Sequence, residues 1–169
     1  LTTVSCSTAF ATDGCAWAGN SVGQMWASTD FGETWIEMSC PFNGKAIVAI
    51  TPSSEYASDR TLLVAGADLL GRRVLLWRST DSGTTWQLWL DQSSEWLGPR
   101  IAAVGNEATK TGLALGTDYM HRGQHDWHRI RITSRTDPVV KLLVLPGLSV
   151  RLAVTSTGIF VTREKSGKH

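Results

Sequence analysis

The side chains able to do chemistry in this sequence are scattered, and they form none of the compact patterns that catalysis or metal binding requires. Cleavage of a glycosidic bond needs two carboxyl groups facing each other across a cleft. Asp68, Asp91, Glu95 and Asp118 stand at strand ends or in loops and are formally available. Nothing in the sequence pairs them, and each reads as a solvated loop carboxylate. His121, His125 and His128 with Asp126 are metal ligands by residue type. Gly123 interrupts any helix that would bring His121 and His125 to one face, so the stretch reads as a polar loop with no metal. The three cysteines, Cys6, Cys15 and Cys40, contain no C-x-x-C pair, which argues against a zinc ribbon or a thioredoxin-type site. They are expected to be small buried hydrophobes. A Cys6–Cys15 disulfide would need neighbouring strands, suitable geometry and an oxidising compartment. No G-x-S-x-G, P-loop or G-x-G-x-x-G occurs, which removes the commonest serine-hydrolase and nucleotide-binding chemistries. No catalytic residue and no cofactor is assigned.

Composition narrows the partners. Hydrophobic residues make up 42% and charged ones 18% of the 169 residues, the profile of a globular chain of about one domain. A net charge of +1 supplies no field to gather polyanions, so nucleic acid is not an expected partner. The longest apolar stretches, around Lys141, fall well short of the roughly 20 residues that cross a bilayer. The chain opens on Leu1 without a basic and apolar leader pattern, as a processed protein or a piece of a longer one would. Secretion is neither read nor excluded from such an opening, and an extracellular or periplasmic setting is slightly favoured.

The elements that must position these residues come from self-similarity. Ser28-Thr-Asp30-Phe-Gly32-Glu-Thr34-Trp35 aligns with Ser79-Thr-Asp81-Ser-Gly83-Thr-Thr85-Trp86, 51 residues later. Upstream, the segment from Ser7 to Asp13 parallels that from Ser53 to Asp59 at an offset of 46. A repeat of this length signals a propeller or solenoid. The difference between the offsets is expected to sit in a longer hairpin loop around Leu69 to Arg73.

Each unit reads as four short strands bounded by Gly and Asp, with almost no helix. In the first unit these are Thr3 to Ser7, Gly14 to Ala18, Gln24 to Ser28 and Trp35 to Ser39. A third unit continues from Ile101 with its turn decayed to His121–Trp127, and a fourth ends without its last strand. Within the turns, the Asp carboxylate can accept backbone N–H groups, the Gly can take φ > 0, and the Trp anchors the outgoing strand. That structural role is preferred for Asp30 and Asp81, since one carboxylate without further oxygen ligands is not a calcium loop.

At these residues the chain resembles the Asp-box, or bacterial neuraminidase repeat, family, whose motif is S-x-D-x-G-x-T-W. The resemblance implies a β-propeller of four-stranded antiparallel blades, with the box in the turn between the third and fourth strands. About four blades are expected, at 1–44, 45–98, 99–136 and 137–169, the last incomplete. The structural box residues are Ser28, Asp30, Gly32, Thr34 and Trp35, with Ser79, Asp81, Gly83, Thr85 and Trp86. Families sharing the box include sialidases, xyloglucan hydrolases, sortilin-type receptors and photosystem assembly factors, so it leaves function open.

A sialidase-like site would need an arginine triad and a Tyr nucleophile with a Glu partner. The Arg-Ile-Pro signature is absent, Arg100-Ile101-Ala102 being its nearest echo, and Tyr56 already matches Phe10 within the repeat. Most of the eight tryptophans read as packing between blades. Trp96 lies in a loop without that role and, with Arg122 and Arg129, is read as part of a binding surface. The resulting expectation is a non-enzymatic scaffold meeting a protein partner, or a second copy through open blade edges; a glycan-binding or glycan-cleaving half-propeller is the alternative.

Overall fold

The computed structural model describes residues 1–68, 70, 73–93, 101–104, 112–115, 118–122, 127–131, 141–145, 150–154 and 158–163, with side chains for 1–68, 70, 73–91, 158 and 159. The chain is an all-β propeller built of antiparallel sheets. Strands β1 (Thr3–Cys6), β2 (Ala16–Gly19), β3 (Met25–Ser28) and β4 (Ile36–Met38) form the first sheet. The second has β5 (Ala46–Pro52), β6 (Leu62–Asp68), β7 (Arg73–Ser79) and β8 (Gln87–Ser93). The third has β9 (Ile101–Val104), β10 (Gly112–Leu115), β11 (Asp118–Arg122) and β12 (Trp127–Arg131). Among the described residues the fourth has three strands, β13 (Lys141–Leu145), β14 (Val150–Val154) and β15 (Ile159–Arg163). Every sheet is a meander, in which each strand pairs with its sequence neighbours. The first strands of successive sheets lie side by side, β1 by β5, β5 by β9 and β9 by β13, as blades do around a propeller axis.

The sheets are held face to face by alternating apolar residues. Trp17, Met25 and Phe42 on the first sheet and its exit segment meet Ile50, Tyr56, Leu62 and Val64 on the second. Trp17 packs edge-to-face on Tyr56 with ring centroids 4.7 Å apart. A side chain at Gly19 would run into Ile47 Cγ2, 2.6 Å from the position of its Cβ, which shows how closely β2 approaches β5. Leu63, Ala65, Val74, Leu76 and Leu90 form a separate layer on the far face of the second sheet.

Three features differ from the sequence reading. The extra residues of the second unit do not enlarge a loop. They extend β6 and β7 to seven residues each, paired as far as Asp68 opposite Arg73. Apolar alternation lets an insert join the ladder, where it satisfies its own backbone groups. Second, His121 and Arg122, expected in a polar loop, belong to β11, opposite His128 and Trp127 of β12; 123–126 lie outside the described residues. Third, two single-turn helices, α1 (Phe10–Asp13) and α2 (Tyr56–Asp59), link the first and second strands of their sheets.

Candidate functional site

The two Ser-x-Asp-x-Gly-x-Thr-Trp segments are turns wired by the same bonds. The Ser28 hydroxyl donates to Asp30 Oδ1 at 2.7 Å and accepts the Gly32 N–H at 2.9 Å. Thr34 donates its N–H to Asp30 Oδ1 at 2.9 Å and its hydroxyl to Oδ2 at 2.5 Å. In the second turn Ser79 donates to Asp81 Oδ1 at 2.7 Å, Gly83 N–H donates to Ser79 Oγ at 2.8 Å, and Thr85 reaches Asp81 with N–H and hydroxyl at 2.8 and 2.5 Å. Both turns need two left-handed residues, Phe31 and Gly32 in one, Ser82 and Gly83 in the other. The helical turns dock onto them, since Phe31 N–H donates to Gly14 O at 3.1 Å and Ser82 N–H to Arg60 O at 3.0 Å.

These bonds set the charge on the two carboxylates. The Thr34 hydroxyl, then its N–H, then the Ser28 hydroxyl hold Asp30 down at about 2, against an ordinary 3.8. Thr85 and Ser79 do the same for Asp81, also to about 2. A carboxylate depressed on folding adds stability that is present above its unfolded value and lost as pH falls through the folded one. Wild-type stability should therefore decline from about pH 4 towards about pH 2 more steeply than that of Asp30→Asn or Asp81→Asn. Urea midpoints across that range read the slopes, and equal slopes in all three proteins would show that the carboxylates do not carry the acid sensitivity.

The other chemistry-bearing residues are not brought together. Asp91 is bound bidentately by Arg73 at a largely exposed pair. Asp68 ends β6. Asp118 begins β11, and Glu95 lies outside the described residues. His121 and His128 face each other in register, while His125 and Asp126 lie outside the described residues; among those described, no three ligand-type side chains cluster. Cys6 is exposed, not buried, and pairs in register with Ala16. Cys15, one residue along and on the opposite face, is buried, so the two thiols point away from each other and all three cysteines are free. Burial pushes the Cys15 and Cys40 thiols up from their ordinary value, which lowers their thiolate fraction at neutral pH. Trp96 lies outside the described residues. Backbone register puts Arg122 opposite Trp127 and Arg129 opposite Met120, so the two arginines share one face of the third sheet.

One site the sequence did not single out is apolar. Leu1, Val4, Ala18, Trp26 and Trp35 line a cavity of about 330 Å³ on the face of the first sheet turned away from the second. Val4 is 62% and Trp35 40% exposed. Trp35 is held by its indole N–H, which donates to Gly32 O at 3.0 Å. The described residues of the wall are apolar or aromatic, which suits it to an apolar or aromatic group. Spacing alone could not have found it, because Trp26 and Trp35 occupy the same places in their segment as Trp77 and Trp86 in theirs.

No family model matches the chain, and no curated protein matches it. Among solved structures it is similar to the β-propeller domain of Cps50 (Swd1) from Myceliophteria thermophila, at 14% identity and a TM-score of 0.66. The match covers 96% of this chain and 51% of that one, so the chain spans about half the length of the structure it resembles.

Proposed function

We propose that the chain is an Asp-box propeller segment, with blades at 1–44, 45–98, 99–136 and 137–169, that acts as a protein-interaction scaffold. The observation that carries this reading is the cavity on the first sheet. Its aromatic lining, open to solvent, is the kind of surface that anchors protein partners. The box turns support the family assignment, and their Asp residues serve backbone and hydroxyl donors within the turn. Trp96, Arg122 and Arg129 are a further, separate candidate surface under the same reading.

Selection of random displayed peptides on the folded chain, run beside a glycan array and a panel of fluorogenic glycosides, tests the reading. The expected result is enrichment of peptides with an aromatic or Met anchor, lost in Val4→Asp, with no sugar retained and no glycoside turned over. Sugar retention lost in Trp26→Ala, or turnover of any glycoside, would replace the scaffold with the glycan-directed alternative.

A further inference from the structure

The chain's single Asn-Gly pair, Asn43-Gly44, sits where the first sheet hands over to the second. Phe42, Asn43, Gly44 and Lys45 form a tight turn, closed by the Lys45 N–H donating to Phe42 O at 2.7 Å. Gly44 has φ 73, as the left-handed third residue of a type II turn does. Asn43 and Gly44 are both exposed, and nothing lies within 4 Å of a Cβ built on Gly44. Phe42 beside them has no exposed surface and stands edge-on to Trp77 and Trp86. A change at this exposed pair therefore acts directly on the residue that anchors the junction between the two sheets.

An Asn-Gly pair carries its own reagents. The glycine nitrogen has no side chain beside it to shield it, and it attacks the neighbouring carboxamide once its N–H is free. In the closed turn it is not free. The Gly44 N–H donates to Val22 O at 3.1 Å, and the same two segments are joined by the Ile47 N–H on Asn20 O at 2.9 Å and the Cys40 thiol on Gly23 O at 3.2 Å. The electrophile is held by no such bond, since the Asn43 carboxamide has no hydrogen-bond partner among the described residues. Asn20, on the facing turn, is the opposite case. Its Oδ1 accepts the Val22 and Gln24 N–H groups at 3.0 and 2.9 Å, its Nδ2 donates to Gln24 Oε1 at 2.8 Å, and Ser21 follows it.

We propose that Asn43 is a site of spontaneous deamidation, controlled by opening of the 42–45 turn away from the turn at 20–24, and that its isoaspartyl product releases Phe42. In the opened turn the Gly44 nitrogen gives its proton to hydroxide and bonds to Asn43 Cγ. The Cγ–Nδ2 bond breaks, and that nitrogen leaves as ammonia with a proton from water, which regenerates the hydroxide. Water then opens the five-membered imide. Attack at Cγ gives aspartate, and attack at the main-chain carbonyl gives isoaspartate, whose backbone runs through Cβ and Cγ. The extra backbone carbon breaks the four-residue turn that fixes Phe42, whereas aspartate leaves it intact.

Incubation at mildly alkaline pH, followed by peptide mapping with fragmentation that separates aspartate from isoaspartate, reads the conversion. Asn43 should convert in the folded chain while Asn20 stays intact. In the urea-unfolded chain Asn43 should convert about tenfold faster, because in the folded chain only opened molecules react. Phe42→Leu, which keeps an apolar side chain and loses the edge-on contacts, should convert at a rate between the two. The separated isoaspartyl form should unfold at a lower urea midpoint than the wild type, and Asn43→Asp at the wild-type midpoint. Asn43 left intact in both folded proteins would overturn the site, and equal rates in the folded and unfolded chain would overturn its control by the turn. An isoaspartyl form as stable as Asn43→Asp would overturn the release of Phe42.

Discussion

Replacing Phe42 by Ala is expected to destabilise the protein by about 3–5 kcal/mol, the usual cost of emptying a buried aromatic site. Phe42 has no exposed surface and lies edge-on to Trp77 and Trp86. Edge-to-face pairs add about 0.5–1.5 kcal/mol beyond the area they bury. The space cannot easily collapse, because the segment is fixed at both sides. Lys45 N–H donates to Phe42 O at 2.7 Å, and a Cβ on Gly23 would lie only 2.8 Å from that same oxygen. The indole N–H groups of Trp77 and Trp86 are buried without a hydrogen-bond partner among the described residues, so the rings hold their places by packing. Equilibrium urea unfolding should show the loss at an unchanged slope. Trp26→Ala at the matched position of the first sheet should cost well under half as much, because no described residue packs over it. Equal losses at the two sites would mean that burial between the sheets does not separate them.

The second large effect is expected at Asp59, an exposed residue whose partners are buried. Its carboxylate accepts the Ser53 hydroxyl at 2.7 Å and the Thr61 N–H at 2.8 Å. Ser53 and Thr61 are 2% and 3% exposed. Asp59→Ala removes a charged acceptor from two donors that water barely reaches. Bonds to charged groups contribute about 1.5–3 kcal/mol each, and a combined loss of about 2–4 kcal/mol is expected, since the hydroxyl can turn elsewhere. Asp59→Asn keeps a carbonyl oxygen for Thr61 and should lose about 1 kcal/mol. Asp13, which accepts from Ser7 at 2.6 Å and Cys15 N–H at 2.9 Å, should repeat the pattern in the first sheet. Alanine variants at both positions within about 0.5 kcal/mol of wild type would place them with ordinary surface changes and refute the buried-donor argument.

The all-β class and the repeat were legible in the sequence because their causes are local. Period-two alternation, a Gly that accepts positive φ, and a Ser and Asp that bond to groups two to four residues away act within one hairpin. Two matched segments 51 residues apart therefore announce a repeated hairpin before any fold is known. The helical turns α1 and α2 were missed although both lie inside the matched segments Ser7–Asp13 and Ser53–Asp59. A single turn is too short for a helical period, and its anchor, a side-chain carboxylate reaching back six residues to a serine, has no periodic signature.

Other features were decided only when sheets met sheets. Whether inserted residues between Asp59 and Asp81 loop out or lengthen a ladder depends on the partner strands. Whether His121 lies in a turn or a strand depends on β12 across from it. The face of a cysteine depends on register, which is why Cys6, opposite Ala16, is exposed and Cys15, the residue before Ala16, is buried. The candidate site is the clearest case. Trp26 and Trp77 occupy the same place in the same motif, as do Trp35 and Trp86, and nothing near them in sequence tells the pairs apart. Burial is a property of what stands opposite. Phe42 and Met38 cover one pair because the first sheet packs on the second, while the other pair stands on the face of the first sheet turned away from the second and lines the cavity.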